Sequence, residues 1–127
     1  MQRLLFFLLI FGVAAAGHAA ALSPTARAEI DALLSRLEAS SCTFNRSGTW
    51  YPATDAKSHL LRKLKYLEDR GMVRTTEQFI ELAGSSSSTT GKPYLVKCGS
   101  GAAVESGAWL RSQLDVLRSS GRARSAP

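Results

Sequence analysis

The fold depends on one stretch of the sequence, Ser85-Ser86-Ser87-Ser88-Thr89-Thr90-Gly91-Lys92-Pro93-Tyr94, which leads directly into Leu95-Val96-Lys97-Cys98. The run of hydroxyl residues ends in a Gly-Lys-Pro turn, because glycine and proline are the strongest breakers of regular structure. The residues that follow predict a short strand that ends at a cysteine. Two interpretations of the serine run stay open: an ordered binding loop and a plain connection.

The cysteine at the end of this strand has one counterpart, since the chain contains 2 cysteines, Cys42 and Cys98. An even pair in a small exported domain predicts a structural disulfide. Closing a loop of that length contributes about 4 kcal/mol to stability in the chain-entropy relation. A reactive thiol pair is the alternative, but the Cys-x-x-Cys spacing typical of such pairs is absent.

The N-terminus has the features of an export signal. Arg3 supplies the positive charge, residues 4–13 form the apolar segment, and the small residues that end at Ala21 offer a cleavage site. An apolar run of about 10 residues is too short to span a bilayer, which needs roughly 20. We therefore expect residues 1–21 to be a signal peptide cleaved near Ala21, and the product to be periplasmic or secreted without a membrane span.

The rest of the chain is long enough for one small domain, residues 22–118. A basic tail rich in Ser, Gly and Ala follows at 119–127, and we expect it to be disordered. The formal net charge of +6 favours anionic partners. Because export argues against a nucleic-acid partner, we expect the partner to be an unknown protein or an anionic ligand of the cell envelope. We also expect the protein to be a monomer.

The apolar and turn patterns predict elements in the order α, β, β, α, α, β, α. They are a helix after Ser23-Pro24, a hairpin over residues 42–51, a helix over 55–70, a short helix after Thr75 or Thr76, a strand over 94–98, and a helix from Ser106 or Gly107. The disulfide would place the hairpin beside the third strand. The sequence thus predicts an α+β domain, with about four helices packed on a short antiparallel sheet of about three strands. Trp50 is expected in its core.

Four short motifs in this chain resemble motifs of a known protein family. They are Phe44-x-Arg46-x-Gly48, Ala56-x-x-His59-Leu60-x-x-Lys63, Thr76-Glu77-Gln78-Phe79-Ile80, and the stretch from Ser85 to Tyr94. With these motifs, over about residues 25–118, the chain is similar to the YfeK-like family of small exported bacterial proteins, a domain of unknown function. The resemblance implies export and small size but no reaction. The family turn usually reads Arg-Asn-Gly, and Asn adopts left-handed backbone angles more readily than Ser47, so the turn type stays open.

The candidate ligand-binding site is polar and cationic. Its residues are Arg46, His59, Lys63, Ser86, Ser87, Gly91, Lys92 and Tyr94. Backbone amides, hydroxyls and a lysine in a turn are groups that hold anions. Zinc needs three or four His, Cys or carboxylate ligands, and one histidine beside a disulfide leaves too few. We therefore assign no metal, no cofactor and no catalytic residue.

Four functional hypotheses remain. The favoured one is a non-enzymatic binding or interaction module that uses the candidate site. An alternative is a small hydrolase or transferase in which Asp55 orients His59 towards a serine of the 85–88 run, so enzymatic activity stays uncertain. A second alternative is an inhibitor of a cell-wall-degrading enzyme, because residues 47–51 and 90–94 both read Ser/Thr-Gly-x-x-Tyr, similar to a loop of exported lysozyme inhibitors. In the third, Lys63 and His59 only bond the carbonyls of segment 85–92.

Overall fold

The computed structural model describes residue 12 and residues 21–125, with side chains as far as residue 123. The predicted signal peptide, residues 1–21, therefore lies outside the described residues except for Gly12 and Ala21. None of the helices over the described range combines the length and the apolar character needed to cross a bilayer.

The described chain is an α+β domain with the predicted order of elements. The elements are α1 (Pro24–Ala39), β1 (Thr43–Arg46), β2 (Thr49–Pro52), α2 (Ala53–Asp69), α3 (Thr76–Phe79), a π-helical turn (Ile80–Gly84), β3 (Leu95–Lys97), β4 (Val104–Glu105) and α4 (Ser106–Ser125). Local signals place two of the helix starts. The Ser23 hydroxyl accepts a hydrogen bond from the Ala26 amide at 3.1 Å, and Thr75 forms a capping box with Gln78.

The sheet has the strand order β2-β1-β3-β4, and every neighbouring pair is antiparallel. The predicted antiparallel sheet is thereby confirmed, and β4 is an addition to it, because it lies in a segment that the sequence predicts as a loop. Two residues are too few for an alternating pattern to be recognised. The amide of Ser106 donates to the carbonyl of Tyr94 at 2.8 Å, which fixes β4 beside β3 at the start of α4.

The β1–β2 turn has both of its central residues at positive φ, 49° at Ser47 and 90° at Gly48. Positive φ at both positions is the mark of a type I′ turn, whose twist matches that of the flanking strands. The Asn45 side-chain oxygen accepts a hydrogen bond from the Gly48 amide at 3.1 Å, which stabilises the turn from within. Ser47 therefore adopts the left-handed conformation despite its Cβ.

The core lies where the helices cover one face of the sheet. Its largest fully buried side chains are Phe44, Phe79, Ile30, Leu33, Leu34, Leu37, Leu60, Ile80, Leu110, Val73 and Val96. Trp50 does not belong to it: this side chain is 42% exposed, because β2 is an edge strand. The expectation that Trp50 is in the core was wrong.

The predicted disulfide between Cys42 and Cys98 is present. Cys42 comes just before β1 and Cys98 just after β3. The bond therefore joins the two central strands at one end of the sheet, and the β1–β2 turn lies at the opposite end.

The last helix continues to Ser125, so residues 119–125 are helical where the sequence predicts disorder. Leu110 and Leu114 pack the first half of the helix into the core, and farther along Arg118 forms ion pairs with Glu29 at 2.8 Å and Glu77 at 2.6 Å. Beyond this contact the Arg122 guanidinium donates to the Ser119 hydroxyl at 3.2 Å. The helix thus continues past Leu117, its last large apolar residue.

Candidate functional site

The register of the sheet brings two separate segments of the chain to one end of the molecule. β1 and β3 are antiparallel, and Asn45 pairs with Leu95. Arg46 and Tyr94 are the next residues beyond this pair, so both lie at the end of the sheet that carries the β1–β2 turn. The antiparallel pairing of β3 with β1 therefore brings the hairpin tip and the serine-rich loop together.

The loop from Ser85 to Tyr94 is held by its own hydrogen bonds. The Tyr94 amide donates to the Ser85 carbonyl, and the Ser87 amide donates to the Lys92 carbonyl, both at 2.9 Å. The Ser87 hydroxyl lies 3.3 Å from the amide nitrogens of Thr89 and Thr90. The Ser87 carbonyl also accepts from the Gly91 amide, so Ser87 bonds four positions of the turn. These bonds favour the ordered form of the loop over a plain connection, and its binding role stays a prediction.

Helix α2 contributes two side chains, one turn apart, that meet this loop. The Lys63 ammonium donates to the Ser86 carbonyl at 2.8 Å and to the Tyr94 hydroxyl at 3.0 Å. The His59 Nε2 atom lies 3.1 Å from the same hydroxyl. Tyr94 is 3% exposed, and its ring packs on Phe44 with the centroids 5.0 Å apart. The Tyr94 hydroxyl is therefore the point at which α2, the loop and the core are joined.

Burial shifts the pKa of all three groups. Burial, with the positive charges of Arg46, Lys63 and Arg62, lowers the pKa of His59 to about 4. Burial, with Arg46, lowers the pKa of Lys63 to about 8, and burial raises the pKa of the Tyr94 phenol. At neutral pH the imidazole is uncharged, and in its Nδ1–H tautomer the Nε2 atom accepts a hydrogen bond from the Tyr94 hydroxyl, while the phenol oxygen accepts a hydrogen bond from Lys63.

These residues line a hollow of about 390 Å³, which we term the cationic cleft. Its lining is Arg46, Ser47, Thr49, Tyr51, His59, Lys63, Ser87, Ser88, Thr89 and Tyr94. Two of these residues carry a positive charge, and among the described residues that line the cleft none carries a carboxylate. The Arg46 guanidinium lies 5.3 Å from the centre of the Tyr51 ring. The ion pairs formed elsewhere over residues 21–123 do not include Arg46 or Lys63.

Residues 24–118 match the family described as Family of unknown function (DUF5329). The chain belongs to this family. The uncharacterized protein YfeK of Salmonella typhimurium is 45% identical over 68 residues, which are 53% of this chain and 55% of that protein. The chain thus matches about half the length of this curated relative, and the predicted resemblance to the YfeK-like family is confirmed. No solved structure matches this DUF5329 chain.

The structure brings most of the predicted site residues together. Arg46, His59, Lys63, Ser87 and Tyr94 line the cationic cleft, and Ser86 contributes its carbonyl as the partner of Lys63. Gly91 and Lys92 shape the loop but do not line the cleft, and the Lys92 side chain is exposed.

The predicted site also includes the whole Ser85–Tyr94 loop, to which Ser88 and Thr89 belong, but sequence reasoning missed three residues of the cleft, namely Ser47, Thr49 and Tyr51. A signal for two of them was present. Thr49 and Tyr51 are two residues apart in a strand and share one face. Arg46 pairs with Thr49, so that face is also the face of Arg46.

The arrangement proposed for a hydrolase differs from the one observed. His59 is paired with Tyr94, and over residues 21–123 it forms no hydrogen bond with Asp55 or with a serine of the 85–88 run. The arrangement proposed for an inhibitor loop differs too, because the tyrosine of the 90–94 repeat is buried. Neither hypothesis is supported by these contacts.

The low pKa of His59 predicts that acidification destabilises the fold before the carboxylates titrate. In the unfolded chain His59 takes up a proton near its ordinary pKa of about 6.5, and in the folded chain only near about 4. Between these values the unfolded state binds more protons, so the free energy of unfolding falls as the pH is lowered. Urea denaturation at pH values from 7 to 4.5 measures this slope.

The matched control is His59→Gln, which keeps a hydrogen-bonding group near Tyr94 and removes the titration. This variant should show a flat profile from pH 7 to about 5.5, because Glu29 and Glu77, whose pKa values are lowered in the fold, take up protons in the unfolded chain only around pH 4.5. An imidazole that titrates near 6.5 in the folded protein, followed by its ring proton resonances, would contradict the expected burial of His59.

Proposed function

We propose that this chain is an exported, non-enzymatic binding module whose cationic cleft takes an anionic group. The observation that carries the proposal is that Arg46 and Lys63 line one cleft together, with hydroxyl side chains around them and no carboxylate in the described lining. Cations that lack an acidic partner repel each other, and a bound anion removes that cost.

The donors of the cleft suit a phosphate, sulfate or carboxylate group. Lys63 has three N–H donors and uses two of them, on Ser86 and Tyr94. Arg46 offers a planar fork that matches such anions, and no other described residue bonds to its guanidinium. The hydroxyls of Ser87, Ser88 and Thr89 line the same cleft and add neutral donors.

Arg46 also separates this proposal from a purely structural role for the polar residues. A purely structural role, in which they hold the 85–94 loop in place, explains two contacts. These are the hydrogen bond from Lys63 to the Ser86 carbonyl and the contact of His59 with Tyr94. The Arg46 guanidinium forms no such hydrogen bond within the described residues, and its charge lowers the pKa of both His59 and Lys63. Its position beside two half-buried basic groups favours a ligand-binding role.

Export is the second part of the proposal. The Cys42–Cys98 disulfide, and the lack of a bilayer-spanning helix over the described residues, are compatible with a periplasmic or secreted protein. Disulfides persist in oxidising compartments, so the anion would come from the cell envelope or from a protein partner there.

A phosphate titration of the oxidised protein, followed by amide NMR, tests the cleft. We expect shifts on Arg46, on His59 and Lys63 of α2, and on the 85–94 loop. The Arg46→Gln variant should bind phosphate at least tenfold more weakly, because a hydrogen bond to a charged group contributes about 1.5–3 kcal/mol.

The control is Lys92→Gln, which removes the same charge from an exposed side chain outside the cleft lining. It should change the phosphate affinity less than about twofold at physiological salt, where separated surface charges are largely screened. Equal losses in the two variants would indicate a general charge effect, and a wild-type protein without clustered shifts would overturn the proposal.

A further inference from the structure

A second hollow adjoins the cationic cleft and differs from it in character. It has a volume of about 340 Å³ and is lined by His59, Arg62, Lys63, Tyr66, Leu67 and Ser88. We term it the apolar hollow, because most of its lining surface is carbon. His59, Lys63 and Ser88 belong to both hollows, so the two meet along these three residues.

The apolar lining is supplied by the same helix that supplies the polar groups. His59, Lys63 and Tyr66 follow one another at helical spacing along one side of α2, and Arg70, the residue just after the helix, continues this row. The first two reach the cationic cleft, and Tyr66 extends the stripe into the apolar hollow. The charged residues of the hollow contribute mainly their hydrocarbon stems, since long basic side chains keep their charged ends in water.

The Tyr66 ring is exposed and yet held in place. Its side chain is 56% exposed, which is unusual for an aromatic residue that serves only the core. The Arg70 guanidinium lies 3.5 Å from the ring centre, and Arg70 also donates to the Tyr66 carbonyl at 3.1 Å. A fixed ring at the edge of a hollow is a preformed apolar contact for a ligand.

We propose that the two hollows form one site for a small amphipathic anion. Its charged head would lie in the cationic cleft, between Arg46 and Lys63, and its short hydrocarbon or aromatic tail would lie in the apolar hollow against Tyr66 and Leu67. This inference rests on the proposed function and specifies its ligand class. Both volumes are of the size found in sites for small molecules.

The test compares three soluble probes on the oxidised protein purified after expression of the full chain. They are inorganic phosphate, hexyl phosphate and hexanol, each titrated by calorimetry. Burial of each methylene strengthens binding about fourfold, so burial of about two makes hexyl phosphate at least tenfold tighter than phosphate. Hexanol, without the charge, should bind more weakly than hexyl phosphate.

Two variants assign the halves of the site. Tyr66→Ser should remove most of the gain from the hexyl chain and leave phosphate affinity within about twofold, whereas Arg46→Gln should weaken both phosphates. The matched control is Leu61→Ser, another exposed apolar residue of α2, 40% exposed, that lines neither hollow. It should change neither affinity.

A binding experiment with lipid vesicles distinguishes two sources of the anion, a free amphiphile and a lipid surface. Vesicles of phosphatidylglycerol and of phosphatidylcholine are compared with hexyl phosphate below its micellar concentration. Binding to the anionic vesicles without binding to the soluble hexyl phosphate would overturn the inference in favour of a membrane surface.

The remaining outcomes distinguish the inference from the function on which it rests. Equal affinities for phosphate and hexyl phosphate, with no effect of Tyr66→Ser, would overturn the amphipathic ligand and leave the anion site in place. If neither inorganic phosphate nor hexyl phosphate binds, both the amphipathic ligand and the proposed anion-binding function are overturned.

Discussion

Replacing both cysteines, Cys42→Ala with Cys98→Ala, is expected to lower the free energy of unfolding by about 4 kcal/mol. The bond closes a loop of sequence separation 56, and without it the unfolded chain regains the entropy of that loop. Domains of this size have a total stability of roughly 5–15 kcal/mol. We therefore expect the variant to fold at 25 °C with a small margin and to unfold at a much lower urea concentration.

Reduction of the wild-type protein provides an independent measure of the same loss. A reductant should shift its urea midpoint towards that of the double alanine variant, and should leave the variant itself unchanged. A loss of less than about 1 kcal/mol in both experiments would mean that the unfolded chain is already restricted between these residues.

The disulfide and the cationic cleft lie at opposite ends of β1 and β3. Under conditions where the double alanine variant stays folded, its affinity for phosphate should therefore match that of the wild type within about twofold. This expectation assigns the cysteines a stabilising role.

The parts of the fold that the sequence predicts are those with local causes. Ser23-Pro24 begins α1 and Thr75 begins α3, because a capping hydroxyl satisfies amides that the first turn leaves unpaired. The disulfide follows from the presence of two cysteines in the sequence, which allow a single pairing. In each case the deciding interaction is short-range or has a single solution.

The parts that the sequence does not predict depend on long-range pairing. Nothing local in Val104–Glu105 distinguishes a strand from a loop, and only the edge of β3 makes it a strand. The exposure of Trp50 follows from the position of β2 at the sheet edge. Neither the strand order nor the position of an edge can be derived from one strand alone.

The same distinction applies to the candidate site. The spacing of His59 and Lys63 on α2 is local and was identified, whereas the partner of His59 was not. Asp55 is one turn away along the helix, and Tyr94 is 35 residues away along the chain, yet Tyr94 makes the contact. An i,i+4 pair on an exposed helix face contributes only a few tenths of a kcal/mol, so a buried hydroxyl prevails over it.

The core substitution with the largest expected effect is Phe44→Ala, which should lower the free energy of unfolding by about 3–5 kcal/mol. Phe44 is fully buried in a central strand, paired with Tyr51 on one side and Val96 on the other. Removing its ring loses buried apolar area and leaves a cavity that the paired strands cannot close. Urea denaturation measures the loss of stability. The control is Val104→Ala, at a strand position that is 44% exposed, and it should lower the free energy of unfolding by less than about 0.5 kcal/mol.

Phe44 should also affect phosphate binding, because its ring packs on Tyr94 on the core side of the cationic cleft. The Tyr94 hydroxyl is the shared partner of His59 and Lys63. Phe44→Leu keeps most of the volume and should stay well folded, at a cost of about 1–2 kcal/mol. If the ring of Phe44 fixes that of Tyr94, this variant binds phosphate several-fold more weakly although no residue of the cleft lining has changed. Unchanged phosphate affinity in Phe44→Leu would mean that α2 and the 85–94 loop position Tyr94 without the core.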